Sequence, residues 1–104
     1  MNVTVSADVA RRPEPAVETA AYFVAAEALA NAGKHARAQR VDIHLTRAAD
    51  TLKLEIADDG IGGANPNGTG IYGMRRRVEA LDGTLTVASP PGGPTTIRAE
   101  LPCA

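Results

Sequence analysis

Apolar residues recur along this chain with two different periods, and the switches between those periods lay out its elements. Val3, Val5 and Val9 make a loosely alternating start that the proline-bearing stretch 11–15 interrupts, which predicts a short strand and then a helix. From about Val17 to Ala36 the apolar positions Tyr22, Ala25, Leu29, Ala32 and Ala36 recur at steps of three and four. That spacing gathers them on one helical face, which should pack on a sheet. Glu27, Asn31, Lys34 and His35 fall on the opposite face, a polar stripe that a helix used only for packing does not need. Two alternating runs follow, Val41 to Leu45 and Leu52 to Ile56, read as strands with one buried and one wet face and a hairpin turn over Ala48 to Thr51. The glycine-rich stretch from Asp58 to Gly73, with Asn65-Pro66-Asn67 in its middle, supplies no core and is expected to form a mobile loop.

Helical spacing returns with Ile71, Met74, Val78 and Leu81, and Gly83 is the expected C-cap. Leu85 and Val87, then Ile97, Ala99 and Leu101, alternate as two further strands around residues 90–94. The predicted order is β-α-β-β-loop-α-β-β, with room for one more helix. It describes an α+β fold, a two-layer α/β sandwich in which a mixed sheet buries one face against helices.

Composition narrows the partners. With 104 residues and 44% apolar content the chain suits one domain spanning 1–104 and one small core. A formal net charge of −1 gives no bulk electrostatic reason to bind nucleic acid or an acidic membrane directly. The single cysteine, Cys103, has no partner for an intramolecular disulfide, and no apolar run approaches the ~18 residues of a membrane span. A reducing, cytoplasmic setting is expected, with any membrane tether lying outside this chain.

Candidate chemistry sits at the ends of the predicted elements. Asp58-Asp59-Gly60-Ile61-Gly62-Gly63 closes an apolar strand, where glycines permit close approach and an ionised Asp58 could accept a hydrogen bond from the amino group of adenine. Taken alone, the segment reads equally well as a glycine turn. A second cluster, Gly68-Thr69-Gly70-Ile71-Tyr72-Gly73, precedes the second helix, where free backbone N–H groups favour an anion such as phosphate. No Gly-Lys-Ser/Thr follows it, so it is not a Walker A loop. On the first helix Asn31 offers a neutral oxygen for Mg²⁺ and Lys34 a charge for phosphate. Glu27, one turn earlier, could take a proton, and His35 could help orient that group. Any one of these residues is also the ordinary wet face of an amphipathic helix.

Together they carry a resemblance. Glu27-Ala28-Leu29-Ala30-Asn31-Ala32-Gly33-Lys34-His35-Ala36 resembles the N box of the GHKL (Bergerat-fold) ATPases, and the glycine segments resemble their G boxes. Lys34-His35-Ala36 and the run from Gly70 to Leu81 resemble the ATP-binding catalytic domain of sensor histidine kinases of the nitrate-sensor type, over roughly residues 16–102. The resemblance implies that Asn31 holds Mg²⁺, that Lys34 and His35 face the phosphates, that Asp58 binds adenine with Thr95 beside it, and that the loop from Gly63 to Gly70 is a short ATP lid. Gly60, Gly62, Gly68, Gly70 and Gly73 belong to the nucleotide-binding set it implies, and Glu27 to the catalytic one. The chain departs from the pattern at Gly33 inside the motif helix, at Pro66 in the lid, and at Pro94 where many relatives have the glycine before Thr95.

The expected function is ATP-dependent protein-histidine kinase activity in two-component signalling. Mg-ATP would be bound here and its γ-phosphate donated to a histidine on a separate dimerisation domain of the same kinase, with a response regulator downstream. His44, among Val41, Ile43 and Leu45, reads as a surface histidine, so the acceptor should lie outside this chain, which by itself is expected to be a monomer that turns over little. The competing readings are an anti-sigma-factor-type serine-protein kinase and a nucleotide-binding module without transfer activity. The three Arg75-Arg76-Arg77 side chains are read as a solvent-facing helix surface, because Met74 and Val78 define the buried side.

Overall fold

Strict alternation in four segments becomes four strands, each burying one face. The computed structural model describes residues 1–65 and 68–103, so Pro66 and Asn67, in the centre of the expected lid, lie outside the described residues. Strand β1 spans Asn2–Asp8, helix α1 Pro15–Lys34, β2 Arg40–Ala48, β3 Thr51–Asp58, helix α2 Thr69–Glu79, β4 Thr84–Ala88 and β5 Thr95–Pro102. This is the order read from the sequence, without a further helix among the described residues. The strands form one five-stranded sheet in the order β1-β2-β3-β5-β4. β1 runs parallel to β2 and the other pairs are antiparallel, which makes the sheet mixed.

The inward set Val41, Ile43, Leu52, Leu54, Ile56, Leu85, Ile97, Ala99 and Leu101 forms the core with the apolar sides of α1 and α2. On the wet face the register places Glu55 opposite Arg98 and Lys53 opposite Glu100. Both pairs close as cross-strand ion pairs, at 2.7 Å and 3.9 Å. All four side chains are partly exposed, so these contacts add little to stability.

Helix α1 begins with Pro15 in its first turn, where a missing N–H costs nothing. Its buried residues are Val17, Ala20, Ala21, Val24, Ala28 and Ala32. That stripe corrects the expected one: Tyr22 is 76% exposed, whereas Ala32 and Ala36 are buried as expected. The two valines select the face, and alanines beside them let the helix lie close on the sheet. Tyr22 turns its polar tip to water. Strand β1 is exposed throughout, Val3 and Val5 included, because it pairs on one edge only and no helix covers it fully.

The end of α2 also differs from expectation. The left-handed residue is Asp82, with φ of 61°, and not Gly83. Gly83 N–H bonds Val78 O at 3.0 Å and Asp82 N–H bonds Glu79 O at 3.0 Å, the paired bonds of a Schellman cap. Gly83 is needed instead for close approach: a Cβ there would stand 2.5 Å from the Glu100 carbonyl oxygen.

Candidate functional site

Two polar side chains occupy positions that the alternation assigns to the core. Asp58 continues the inward phase of Leu52, Leu54 and Ile56, and Thr95 opens the inward phase of Ile97, Ala99 and Leu101. The two are cross-strand partners at the same end of the sheet. Asp58 is 8% and Thr95 5% exposed, and among described residues they are the buried polar side chains. One Asp58 oxygen accepts the Gly60 N–H at 2.8 Å, which leaves further acceptor capacity on the carboxylate.

These two groups open into a cavity of about 470 Å³ whose wall also includes Asn31, His35, Ile61, Gly62, Gly63, Gly68, Gly70 and Ile97. Its size falls within the range of small-molecule sites. Residues from α1, β3, β5, the loop after β3 and the start of α2 therefore converge on one space.

Of the expected site residues, Asn31, His35, Asp58, Gly62, Gly68, Gly70 and Thr95 line that cavity. Glu27 lies at its edge, since a Cβ on Gly70 would stand 3.3 Å from Glu27 Oε2 and 3.8 Å from the Asn31 amide. Gly60 and Gly73 do not line it: a Cβ at 60 would meet the Ala36 carbonyl oxygen at 2.5 Å, so Gly60 serves a close approach, whereas one at 73 would make only an ordinary contact with the Phe23 ring at 3.8 Å. Lys34 is exposed in the last turn of α1 and does not line the cavity.

The loop after β3 is anchored on both sides. Ile61 N–H bonds Ala36 O at 2.9 Å, tying it to the end of α1. Gly62 and Gly63 have φ of 68° and 73°, and a Cβ on Gly62 would stand 2.0 Å from Pro90 O, so only glycine fits there. Asp59, exposed beside Asp58, accepts the N–H groups of Arg40 and Gln39 at 2.9 Å each, which holds its carboxyl below the usual carboxylate range. Thus Asp58 faces the cavity and Asp59 fastens the start of β2.

Sequence reasoning missed Ser89. Its hydroxyl lies 2.6 Å from Thr95 Oγ1 and accepts the Ala64 N–H at 2.9 Å, while its carbonyl accepts the Gly63 N–H at 2.9 Å. Nothing in the Ser-Pro-Pro-Gly segment announces these contacts. It also missed the Arg77 guanidinium, which stacks 3.9 Å from the centroid of Phe23 and joins α2 to α1. The Arg75-Arg76-Arg77 side chains otherwise lie on the outer side of α2, as expected, and none lines the cavity.

Among the described residues no cluster of three or more His, Cys, Asp or Glu could hold a metal. A cation in this cavity would have Asn31 and oxygens from ligand and water, a donor set that suits Mg²⁺. The same residues hold no helix long and apolar enough to cross a membrane.

A cavity of about 470 Å³ that brings together a buried carboxylate, an asparagine and the start of a helix in an α+β fold has the size and polar groups of a small-molecule site. The sequence profile of the "Histidine kinase-, DNA gyrase B-, and HSP90-like ATPase" family matches residues 16–104. Curated relatives include the oxygen sensor histidine kinase NreB of Staphylococcus carnosus, 35% identical over 98 residues, which are 89% of this chain and 28% of that protein. The signal transduction histidine-protein kinase/phosphatase UhpB of Salmonella typhimurium is 42% identical over 84 residues, 78% of this chain and 16% of that protein. DegS of Bacillus subtilis, another signal transduction histidine-protein kinase/phosphatase, is 31% identical over 99 residues, 88% of this chain and 26% of that protein. The chain thus spans less than a third of the length of these relatives. The fold matches the histidine kinase domain of the Erythrobacter litoralis EL346 blue-light activated histidine kinase with a TM-score of 0.73 at 23% identity, over 97% of this chain and 55% of that one. Acinetobacter baumannii histidine kinase AdeS matches at 0.70 and 18% identity, over 98% of this chain and 55% of that one. The chain belongs to the histidine kinase-, DNA gyrase B- and HSP90-like ATPase family, and the named relatives are sensor histidine kinases.

Proposed function

We propose that this chain is the catalytic ATP-binding domain of a sensor histidine kinase, which binds Mg-ATP and donates the γ-phosphate to a histidine on a separate dimerisation domain of the same kinase. The observation that carries the reading is the convergence of Asp58, Thr95, Asn31 and the start of α2 on one cavity. Asp58 accepts from the amino group of adenine, and Thr95 supports the base beside it. The backbone at Gly70, in the first turn of α2, faces the phosphates, where helix N–H groups without an intrahelical partner favour an anion, while the Gly68 N–H is bonded to Asn65 O. Asn31 holds Mg²⁺, and His35, in the cavity wall, contributes at the phosphate end. Lys34 reaches that end only by swinging in from solvent, which suits a long flexible side chain acting as a point charge.

Bound Mg-ATP supplies the phosphoryl group and the cation that neutralises its oxygens; this chain supplies position. Asn31 and the α2 start fix the phosphate tail, Asp58 fixes the base, and Glu27 stands where it can take the proton that the incoming histidine nitrogen loses as its bond to phosphorus forms. The bond to the bridging oxygen of ADP breaks in the same exchange. Of the two histidines, His35 caps α1 and His44 is exposed on the wet face of β2. Neither sits on a long helix open to a second molecule, so the acceptor belongs to another domain and a response regulator follows it. The reading places residues 1–104 as one domain on the cytoplasmic side, monomeric by itself; a concentration-independent dimer in sedimentation would contradict that last point.

Calorimetric titration with Mg-ATP, on wild type, Asp58→Ala and Asn31→Ala, tests the assignment. Binding by wild type, its loss in Asp58→Ala and its metal-dependent weakening in Asn31→Ala are expected. Unimpaired binding by a folded Asp58→Ala protein refutes the adenine assignment. Phosphotransfer to a supplied dimerisation domain then separates a kinase from a module that only binds.

A further inference from the structure

Ser89 follows β4 and lines no part of the cavity wall, yet it touches both Thr95 in that wall and Ala64 in the segment after β3. A serine hydroxyl has one proton and two lone pairs. The Ala64 N–H takes one lone pair at 2.9 Å. The 2.6 Å contact with Thr95 Oγ1 then admits two directions. Were Thr95 the donor, the Ser89 proton would have to turn away from the protein to solvent, and Thr95 would turn only lone pairs toward the cavity beside the Asp58 carboxylate. With Ser89 as donor its proton is used, and Thr95 keeps its own proton for the cavity, next to a group that can only accept. The second arrangement keeps the Ser89 proton within the protein and leaves the one Thr95 proton free for a ligand acceptor, with the Asp58 carboxylate beside it free for a ligand donor.

We propose that Ser89 is a positioning residue that holds the Thr95 hydroxyl as a hydrogen-bond donor and so makes the site select adenine over guanine. The proposal rests on the nucleotide reading given above. Adenine presents an amino donor beside a ring-nitrogen acceptor, which match Asp58 as acceptor and Thr95 as donor, directly or through one water. Guanine presents a carbonyl oxygen and a ring N–H in those places, so its oxygen would face the Asp58 carboxylate. A site built this way discriminates strongly, because the wrong partner leaves buried polar groups unpaired. Ser89 also fastens Gly63 and Ala64, so the residue that sets the base-reading hydroxyl also holds the segment that follows β3. Thr95 touches the base, and Ser89 acts on base choice through it.

The test is competition binding of Mg-ATP and Mg-GTP to wild type, Ser89→Ala, Ser89→Thr, Thr95→Val, Asp58→Ala and the Ser89→Ala/Thr95→Val double variant. Losing the imposed direction of one hydrogen bond should weaken ATP binding by roughly three- to tenfold in Ser89→Ala, with GTP binding unweakened, so that the ATP preference shrinks by the same factor. Ser89→Thr, which keeps the hydroxyl, should retain the preference. The double variant should lose no more of it than Thr95→Val alone. A purely structural role in the loop root would instead weaken both nucleotides alike. That outcome, or an additive double variant, overturns the proposal while leaving the nucleotide site intact so long as Asp58→Ala still abolishes binding. Wild-type ATP affinity in Asp58→Ala, or none in folded wild type, overturns both together. If Ser89→Ala does not fold, Ser89→Cys, whose thiol is a weak donor, takes its place with the same expected loss of preference.

Discussion

Gly33 sits in the helix that carries Glu27, Asn31, Lys34 and His35, and replacing it tests whether its cost to α1 serves the site. Its φ is not left-handed, so the backbone does not require glycine. It is exposed, and a Cβ built there meets only the flexible end of the Met1 side chain, at 3.9 Å. Gly33→Ala therefore gains helix propensity without a clash. In a helix interior the gain is about 1 kcal/mol, and position 33, one residue before the end of α1, lies where fraying reduces it. A stabilisation of about 0.5–1 kcal/mol is expected, which for a domain of this size raises the melting temperature by roughly 2–6 °C. Circular dichroism melts and urea titrations read this directly, with the urea midpoint rising and its slope unchanged. The same protein is then titrated with Mg-ATP. Affinity should hold or rise, because Asn31 and His35 are offered by a stiffer turn. A melting temperature equal to or below that of wild type refutes the energetic argument, and a stabilised protein with weakened ATP binding refutes the idea that stiffness here helps the site.

Three further outcomes follow from particular contacts. Gly62→Ala places a Cβ 2.0 Å from Pro90 O at a φ of 68°, so it should cost about 2 kcal/mol or more, and wild-type urea stability would show that the loop root is not tight. Arg77→Ala removes the guanidinium stacked 3.9 Å from the Phe23 centroid and should cost about 0.5–1 kcal/mol; a double-mutant cycle with Phe23→Leu isolates the coupling, and a coupling of zero rejects the contact. For Asp59 the folded pKa is lowered, first by the Arg40 N–H and then by that of Gln39. Its contribution is thus full above the unfolded value of about 3.9 and lost as pH falls through the lower folded value. Asp59→Asn should be less stable than wild type near neutrality and equal to it in strong acid, whereas a difference independent of pH would contradict the assignment.

The order of elements along the chain was legible in the sequence because each rests on a local period, and half of the cavity wall was named from it. Alternation cannot be satisfied by shifting a strand one residue without turning its whole apolar set outward, so β2, β3, β4 and β5 were determined by their own residues. Helix α1 was less readable because alanine is spread around it. With small apolar side chains on several faces, periodicity alone leaves the buried stripe open, and the larger Val17 and Val24 settle it while Tyr22 is turned out. The cap of α2 misled for a related reason: glycine is the usual left-handed residue, yet the close Glu100 carbonyl claims Gly83 and leaves the left-handed position to Asp82.

The legibility of the site follows the same division. Asp58 and Thr95 each stand as a polar residue in the inward phase of a strand, a break in pattern that marks them, although Thr95 was named from the family resemblance alone. Asn31 and Glu27 are marked by helical spacing. Ser89 has no such mark: it lies outside any strand phase, and its partners Ala64 and Thr95 are brought to it by the segment after β3 and by the sheet. A residue whose partners are Thr95 across the turn between β4 and β5 and Ala64, 25 positions away, leaves no period in the sequence. Polar residues in the phase of a strand or on one face of a helix were therefore readable from pattern, whereas the Ser89 contacts became visible only once the fold had placed them.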